Sequence, residues 1–353
     1  CALKLAMPIA VLSAMRESSS YHISVKGGRF LEAVARADTV VFDKTGTLTY
    51  AEPKVAQIVP FGGHEETEML RLAACLEEHY PHSMANAVVD EAKKQGLKHE
   101  EYHSQVQYVV AHGISSMVEG KKVLIGSAHF VFEDEGCTIP EDEREKFDSL
   151  PAQYSHLYLC IAGELAAVIC IFDPLRAEAK DAIRALHACG ISKVVMMTGD
   201  NRRTAASVAE EVGVDEFYAE VLPEDKAAFI RREKAAGRTV IMIGDGVNDS
   251  PALSEADAGV AISTGAAIAR EIADITIASE DLFELVTLRR ISEALMGRIH
   301  RNYRFIVGFN LGLIVFGVAG LLPPTTSALL HNASTLAISL KSMTNLLPDK
   351  KKI

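Results

Sequence analysis

Three short apolar runs in this chain each stop at an aspartate inside a turn of small residues, and this recurrence limits the fold more than any other feature. Residues 39–42 end at Asp43, residues 194–197 lead into Thr198-Gly199-Asp200, and residues 240–243 lead into Gly244-Asp245. Amphipathic segments near 202–212 and 224–236 separate the second run from the third. Strands alternating with helices predict an α/β fold with a doubly wound parallel sheet, whose ligands gather beyond the carboxyl ends of the strands. The three aspartates are therefore expected to converge.

Residues 50–163 have a different texture: a strand over 54–61, helices over 65–78 and 83–94, and hairpins turning at Glu119-Gly120 and Gly163-Glu164. The economical reading is a second, α+β domain inserted into the first. A length of 353 residues allows about two domains at roughly 150 each. With 48% hydrophobic and 24% charged residues, the chain is not of a disordered class. The net charge of −11 argues against a nucleic-acid partner, which would select a basic stripe. Six scattered cysteines with no CxxC pair exclude a disulfide framework and suit a reducing, cytoplasmic setting for the bulk of the chain.

The ends read otherwise. Residues 305–322 carry no charge and would make a helix of about 27 Å, close to a bilayer core. After Pro323-Pro324 a second apolar stretch, 327–347, carries His331, Asn332 and Lys341. Arginines at 289, 290, 298, 301 and 304 precede the first stretch and Lys350 to Lys352 follow the second, so both flanks would face the cytoplasm around a transmembrane hairpin. A buried core helix is the alternative for each stretch. Residues 1–20 open on an apolar run with no initiator Met and read as part of a membrane helix severed from a longer chain.

The sequence Asp43-Lys44-Thr45-Gly46-Thr47-Leu48-Thr49 follows the first apolar run. It would present the Asp43 carboxylate at the sheet edge, with Thr and Gly amides as a phosphate cradle. A carboxylate so placed can attack a phosphoryl group and become an aspartyl phosphate. Many phosphatases with such an aspartate carry a second acid two residues later, to protonate the leaving group and activate water. Here that position is Thr45. Without an acid there, hydrolysis slows and the phosphoenzyme accumulates, which suits energy transduction.

With this heptapeptide the chain resembles a P-type ATPase. Thr198-Gly199-Asp200-Asn201 resembles the family's TGDN element, Gly244-Asp245-Gly246-Val247-Asn248-Asp249 its GDGxND element, and Asp173-Pro174-Leu175-Arg176 the point of re-entry into the phosphorylation domain. The resemblance implies a haloacid-dehalogenase-like phosphorylation domain (21–49 and 171–290), an inserted nucleotide-binding domain (50–170), a cytoplasmic helix (291–304) and membrane helices (305–322 and 327–347). ATP is the expected substrate and magnesium the expected cofactor, held by Asp43, Asp245 and the Thr45 carbonyl, with Asp249 supporting or joining them. Thr198 and Lys226 are expected to stabilise the transferring phosphoryl group and Asn248 to position it or the metal-binding loop. The turn Thr198-Gly199-Asp200 would face the nucleotide phosphates.

In the heavy-metal branch of the family a His-Pro pair contacts adenine and a GxG strand-turn lies against the nucleotide. His82-Ser83 aligns with the pair, with His79 a competing candidate, and Ala111-His112-Gly113 with the glycine element; Gly126 would close the pocket. Cys1-Ala2-Leu3 resembles the end of that branch's membrane Cys motif and Lys26-Gly27-Gly28 its KGG element. His331, Ser334 and Thr335 share a helical face, and with Cys1 they form the candidate ion path. Imidazole and hydroxyls favour zinc, cobalt, manganese or iron over copper; a packing cluster is the alternative. No Thr-Gly-Glu sequence supplies the family's dephosphorylating element, so the resemblance covers only the C-terminal half of a pump. The implied function is ATP-driven export of a transition metal, with membrane lipid and the pump's N-terminal half as partners and the membrane as location. A soluble phosphohydrolase of the same fold, or a nucleotide-binding fragment without transport, are the rival readings.

Overall fold

The computed structural model describes residues 2–50, 52–79, 83–97, 107–109, 113–245, 249–262, 271–279 and 281–348. Cys1, His82, Asn248 and the pair Ala111-His112 lie outside them. In chain order, α1 (Ala2–Ser19), β1 (Ile23–Val25), α2 (Gly28–Arg36) and β2 (Thr39–Asp43) come first. They are followed by β3 (Lys54–Pro60), α3 (Glu66–Glu77), α4 (Ser83–Lys94), β4 (Gln107–Val109), β5 (Gly113–Val118) and β6 (Lys121–Gly126). A short helix α5 (Arg144–Asp148) leads to β7 (Ser155–Ile161) and β8 (Glu164–Phe172). Helices and strands then alternate through α6 (Ala179–Ala188), β9 (Lys193–Met197), α7 (Arg202–Val212), β10 (Glu216–Tyr218), α8 (Pro223–Ala235), β11 (Val240–Gly244), α9 (Ser250–Glu255) and β12 (Ala258–Ile262). Strand β13 (Ile275–Ile277) and two long helices, α10 (Phe283–Val318) and α11 (Pro324–Ser342), complete the series.

One sheet has the order β1-β13-β12-β11-β2-β9-β10 and the other β3-β8-β7-β6-β5-β4. In the first, β11, β12 and β13 run parallel, as do β9 and β10, while β1 adds to β13 antiparallel. The second sheet is antiparallel throughout. By contacts the chain falls into two compact units: Cys1–Val41 with Lys180–Val194 and Lys226–Ile353, and Phe42–Ala179 with Val195–Asp225.

The unit containing the antiparallel sheet has a core on each face of that sheet, because side chains alternate along a strand. In β7, Leu157 and Leu159 pack with Ile169 and with Leu70 and Ala73 of α3, whereas Tyr158 and Cys160 pack with Phe61 and Phe130 on the opposite side. The predicted hairpin at Glu119-Gly120 forms, with both residues at positive φ (49° and 79°). Two such residues give the tight turn that matches strand twist. The other turns at Ala162-Gly163, one residue earlier than expected, again with both φ positive (52° and 89°). Glu77, near the end of α3, is buried, and burial pushes its carboxyl up to about 7.

The other unit is organised by Arg289 on α10, a buried guanidinium that reaches three backbone carbonyls. Its Nη1 donates to Val34 O and, at 3.1 Å, to Ala37 O, while Nε donates to Cys189 O at 3.2 Å. A cation here adds a donor to carbonyls at the end of α2, where helical partners run out. Farther along, Ala6, Ala10 and Ala14 recur every fourth residue on the buried face of α1, and Ala6 meets Ile306 and Ile338. The segment after α11 is held by polar side chains. Arg298 Nη1 and Nη2 donate to Thr344 O and Asn345 O at 2.5 and 2.8 Å, and Glu17 accepts from the Leu346 and Leu347 amides at 2.6 and 2.9 Å.

The apolar stretches are helical, but within bounds other than those expected. Helix α10 starts in polar sequence at Phe283 and ends at Val318, and the chain turns at Gly320 with φ 71°. Of 305–322 only the portion through Val318 is inside the helix, about 21 Å at 1.5 Å per residue, against roughly 30 Å of hydrocarbon. Helix α11 covers Pro324–Ser342 rather than 327–347, because Pro324 is suited to a first helical turn, and His331, Asn332 and Lys341 dilute its apolar character. Among the described residues no helix is long and apolar enough to cross a membrane.

Arg289→Met should lower unfolding free energy by about 1–3 kcal/mol in urea melts, because it strands buried carbonyls. For Glu77, a folded value above the ordinary 4.5 means the folded state holds a proton the unfolded chain has released. That contribution is fully present below about 4.5 and is lost as pH rises through about 7. The stability of Glu77→Gln relative to the parent should therefore rise by about 2–3 kcal/mol between pH 5 and pH 8; urea melts giving one constant gap would contradict the assignment.

Candidate functional site

Asp43 is the last residue of β2 and is 8% exposed. The chain then winds through Lys44–Leu48, where Thr45 is extended (φ −74°, ψ 126°) and Gly46 takes φ 74°. That left-handed position is where glycine avoids the penalty a side chain would bring. Residues 173–176 fasten this loop: the Arg176 amide donates to Leu48 O at 2.8 Å, its Nε to Thr47 O at 2.8 Å, and the Tyr50 amide to Pro174 O at 3.1 Å. Thr49 Oγ1 accepts from the Gly46 amide at 3.0 Å and donates to Asp173 Oδ2 at 2.6 Å. The sequence Asp173-Pro174-Leu175-Arg176 thus works locally as a clamp on the turn that follows Asp43.

Beside the loop lies a buried charge cluster. Lys44 Nζ is 2.5 Å from Asp200 Oδ2 and donates to Ser155 Oγ at 3.3 Å, while Ser155 Oγ donates to Asp200 Oδ1 at 2.7 Å. Thr198 Oγ1 donates to Asp200 Oδ2 at 2.9 Å and accepts from the Asp200 amide at 3.1 Å. Burial works against both charges. It is outweighed at Lys44 by the Asp200, Asp173 and Asp43 carboxylates, which hold the ammonium above its ordinary value, and at Asp200 by Lys44, Ser155 and Thr198, which hold the carboxyl below its own. Asp173 goes the other way: burial raises it, despite Thr49 and Lys44. Asn201 caps α7 by accepting from the Thr204 amide at 2.9 Å, fixing the turn that carries Asp200. A Cβ built on Gly199 would meet no atom within 4 Å, so backbone is open to approach there.

In the other unit, Lys226 Nζ lies 2.7 Å from Asp249 Oδ1, both side chains being buried. The Asp249 carboxylate packs on Gly244, and a Cβ there would collide with Oδ2. Glycine at the end of β11 is therefore a condition of that ion pair. Asp249, expected to support a metal, has one oxygen engaged by Lys226. Asp245 follows β11 and is partly exposed.

Of the expected nucleotide residues, His79 is exposed just after α3. Gly113 and Gly126 face each other across β5 and β6. A Cβ at Gly113 would come within 2.5 Å of both the Ile125 carbonyl and the Phe130 ring, so close packing also demands glycine there. Of the expected ion residues, His331 Nδ1 donates to Asn310 Oδ1 at 2.8 Å, which leaves Nε2 its lone pair. The Ser334 and Thr335 hydroxyls donate to His331 O at 2.8 and 2.9 Å and keep their lone pairs. Among the described residues no three His, Cys, Asp or Glu side chains group to hold a metal.

Sequence reasoning missed Ser155, the Lys44–Asp200 pair and Asn310. Lys44 could have been flagged, since a lysine beside a buried aspartate requires a counter-charge. Ser155 carries no such signal, being one serine at the head of a strand far along the chain. The ion pair has a definite pH window. Asp200 is depressed below 3.8 and Lys44 raised above 10.5, so the stabilisation is present between these values and fades as pH falls through the folded Asp200 value or rises through that of Lys44. Lys44→Met should cost about 3–5 kcal/mol at pH 7 by leaving a buried carboxylate unpaired. In denaturant melts, the deficit should shrink on acidification as Asp200 is neutralised.

Residues 37–257 match the model of haloacid dehalogenase-like hydrolases. The manganese-exporting P-type ATPase of Mycobacterium tuberculosis is 36% identical over 341 residues, covering 96% of this chain and 47% of that protein. The copper-exporting P-type ATPase of Bacillus subtilis is 35% identical over 351 residues, covering 97% and 42%. This chain thus spans about half the length of the curated relatives it matches. A zinc-transporting PIB-type ATPase solved in its E2.Pi state aligns with TM-score 0.70 and 32% identity, over 97% of this chain and 55% of that one. Together with the Asp43 loop and its clamp, these likenesses establish that the chain belongs to the haloacid dehalogenase-like hydrolases, and over nearly its whole length it is similar to part of the heavy-metal P-type ATPases.

Proposed function

We propose that this chain is the phosphorylation and nucleotide-binding portion, with adjoining membrane helices, of a pump that exports a transition-metal cation using ATP. The observation that carries the reading is Asp43, a nearly buried carboxylate ending β2 ahead of a clamped Gly46 turn, with Thr45 where simple phosphatases have a second acid. One Asp43 oxygen bonds to the γ-phosphorus of ATP as the bond from that phosphorus to the bridging oxygen breaks, and ADP departs with the electron pair. With no carboxyl at position 45, nothing on the loop promptly activates water, and the acyl phosphate persists.

Segments 21–49 and 171–290 act as the phosphorylation domain, and 50–170 binds nucleotide through His82 or His79, Gly113 and Gly126. Asp43 ends β2, and Thr198 and Asp245 directly follow β9 and β11, and these like positions at strand ends support joint action of the three. Thr198, held in place by Asp200, lies beside the transferring oxygens, while Lys226 contributes positive charge and Asn248 orients the loop. The donor set suits magnesium: carboxylates of Asp43 and Asp245 and the Thr45 carbonyl are hard oxygens, and this ion takes one or two carboxylates plus phosphates and water rather than a full protein cage. Magnesium, when bound, supplies charge that screens the phosphate oxygens. Asp249 serves it indirectly, through Lys226.

Leu311, Ile314, Val315, Val318, Leu321 and Leu336 are all exposed by more than half, and such an apolar surface suits lipid or further helices of a longer pump. Helix α1, the apolar part of α10, and α11 then make up the membrane portion. His331 through Nε2, with Ser334, Thr335 and Cys1, offers a borderline ligand set that favours zinc, cobalt, manganese or iron over copper.

Incubation with γ-labelled ATP and magnesium should yield an acid-stable, hydroxylamine-labile phosphoprotein. Asp43→Asn should reduce the label to background; label retained in that variant would move the nucleophile elsewhere.

A further inference from the structure

We propose that Ser155 is a positioning residue for phosphoryl transfer to Asp43: its hydroxyl fixes the Lys44–Asp200 pair and, through Asp200, the direction of the Thr198 hydroxyl. The inference rests on the reaction assigned to Asp43 above. Ser155 opens β7 and is 7% exposed, and its Oγ accepts from Lys44 Nζ at 3.3 Å while donating to Asp200 Oδ1 at 2.7 Å. Asp200 Oδ2 takes the Lys44 ammonium at 2.5 Å and the Thr198 hydroxyl at 2.9 Å. One carboxylate is thereby held at both oxygens, and rotation about its side-chain bonds is blocked only while Oδ1 keeps its donor. With the Ser155 hydroxyl gone, the carboxylate is free to turn, carrying with it the lysine next to the nucleophile and the hydroxyl of Thr198.

The same stretch of chain makes two other ties, and they differ in kind. Arg203 Nη1 donates to Asp148 O at 2.8 Å and Thr204 Oγ1 to Tyr154 O at 2.7 Å. Both end on backbone carbonyls. They hold residues 148–154 against the start of α7 without touching the charge cluster, whereas Ser155 reaches it. Removing the Ser155 hydroxyl therefore leaves the anchorage of the segment in place and disturbs the orientation of charged groups. Misplacement of about 1 Å in such groups costs on the order of a hundredfold in rate. The cluster does not itself bind adenine or ribose in this account, so the loss falls on the chemical step.

The test is rapid-quench measurement of phosphoenzyme formation by the full chain with γ-labelled ATP and magnesium. Ser155→Ala should slow the rate at saturating ATP by about 10- to 100-fold and leave the half-saturating ATP concentration within about twofold. Ser155→Thr, which keeps the hydroxyl on a strand-compatible side chain, should restore the rate to within about threefold of the parent. Arg203→Ala should stay near the parent. Should Ser155→Ala fail to fold, Ser155→Cys, of similar shape but a weak donor, should show the same slowing. The proposal is overturned if the hydroxyl-free or thiol variant keeps the parent rate, if only the ATP dependence changes, if Thr gives no rescue, or if Arg203→Ala slows the step equally. Absence of Asp43-dependent label in the parent chain would sink the assigned reaction and this inference together, whereas a labelled parent with an unaffected Ser155→Ala sinks the inference alone.

Discussion

A buried ammonium facing a buried carboxylate is stable only when every remaining lone pair and proton is met, and the Lys44–Asp200 pair shows how this chain meets that demand. Desolvation of the two ions costs several kcal/mol each, and their attraction offsets it only in good geometry. Here the geometry comes from three different stretches of sequence: the turn after Asp43, the turn after β9 and the head of β7. The pair fixes where the Asp43 turn can go, and the Asp173–Arg176 segment clamps the far side of the same turn. The turn after Asp43 thus sits between two restraints, with a single glycine, Gly46, supplying the backbone bend.

The local chemistry of that arrangement was largely legible in the sequence. The aspartate-terminated runs became β2, β9 and β11; the predicted helix at 202–212 is α7, and that at 83–94 is α4. These elements are long or strongly patterned, so periodicity and capping residues such as Asn201 suffice to define them. The antiparallel edge strand β1 was not legible. Its three residues, Ile-Ser-Val, are too few to show a period, and their pairing depends on β13, far away in the chain.

The site divides in the same way. Residues in contiguous motifs, such as Asp43, Thr198, Asp200 and Asp245, can be picked out because turn chemistry concentrates them. Ser155 and Asn310 bond to partners distant in sequence, and a single polar residue does not advertise its partner. The bounds of the apolar C-terminal stretches were hard to read for a related reason. Hydropathy measures a window of sequence, whereas a helix ends where its backbone turns, and Gly320 with its positive φ ends α10 inside the window.

Arg289 also has a mechanical meaning. The carbonyls it grips, at Val34 and Ala37, stand just ahead of Thr39, where β2 begins. One guanidinium therefore rivets the long helix to the turn that leads into the strand ending at Asp43. Tension along that helix is delivered close to the strand's root, by this planar group and by the packing of the helix on α2.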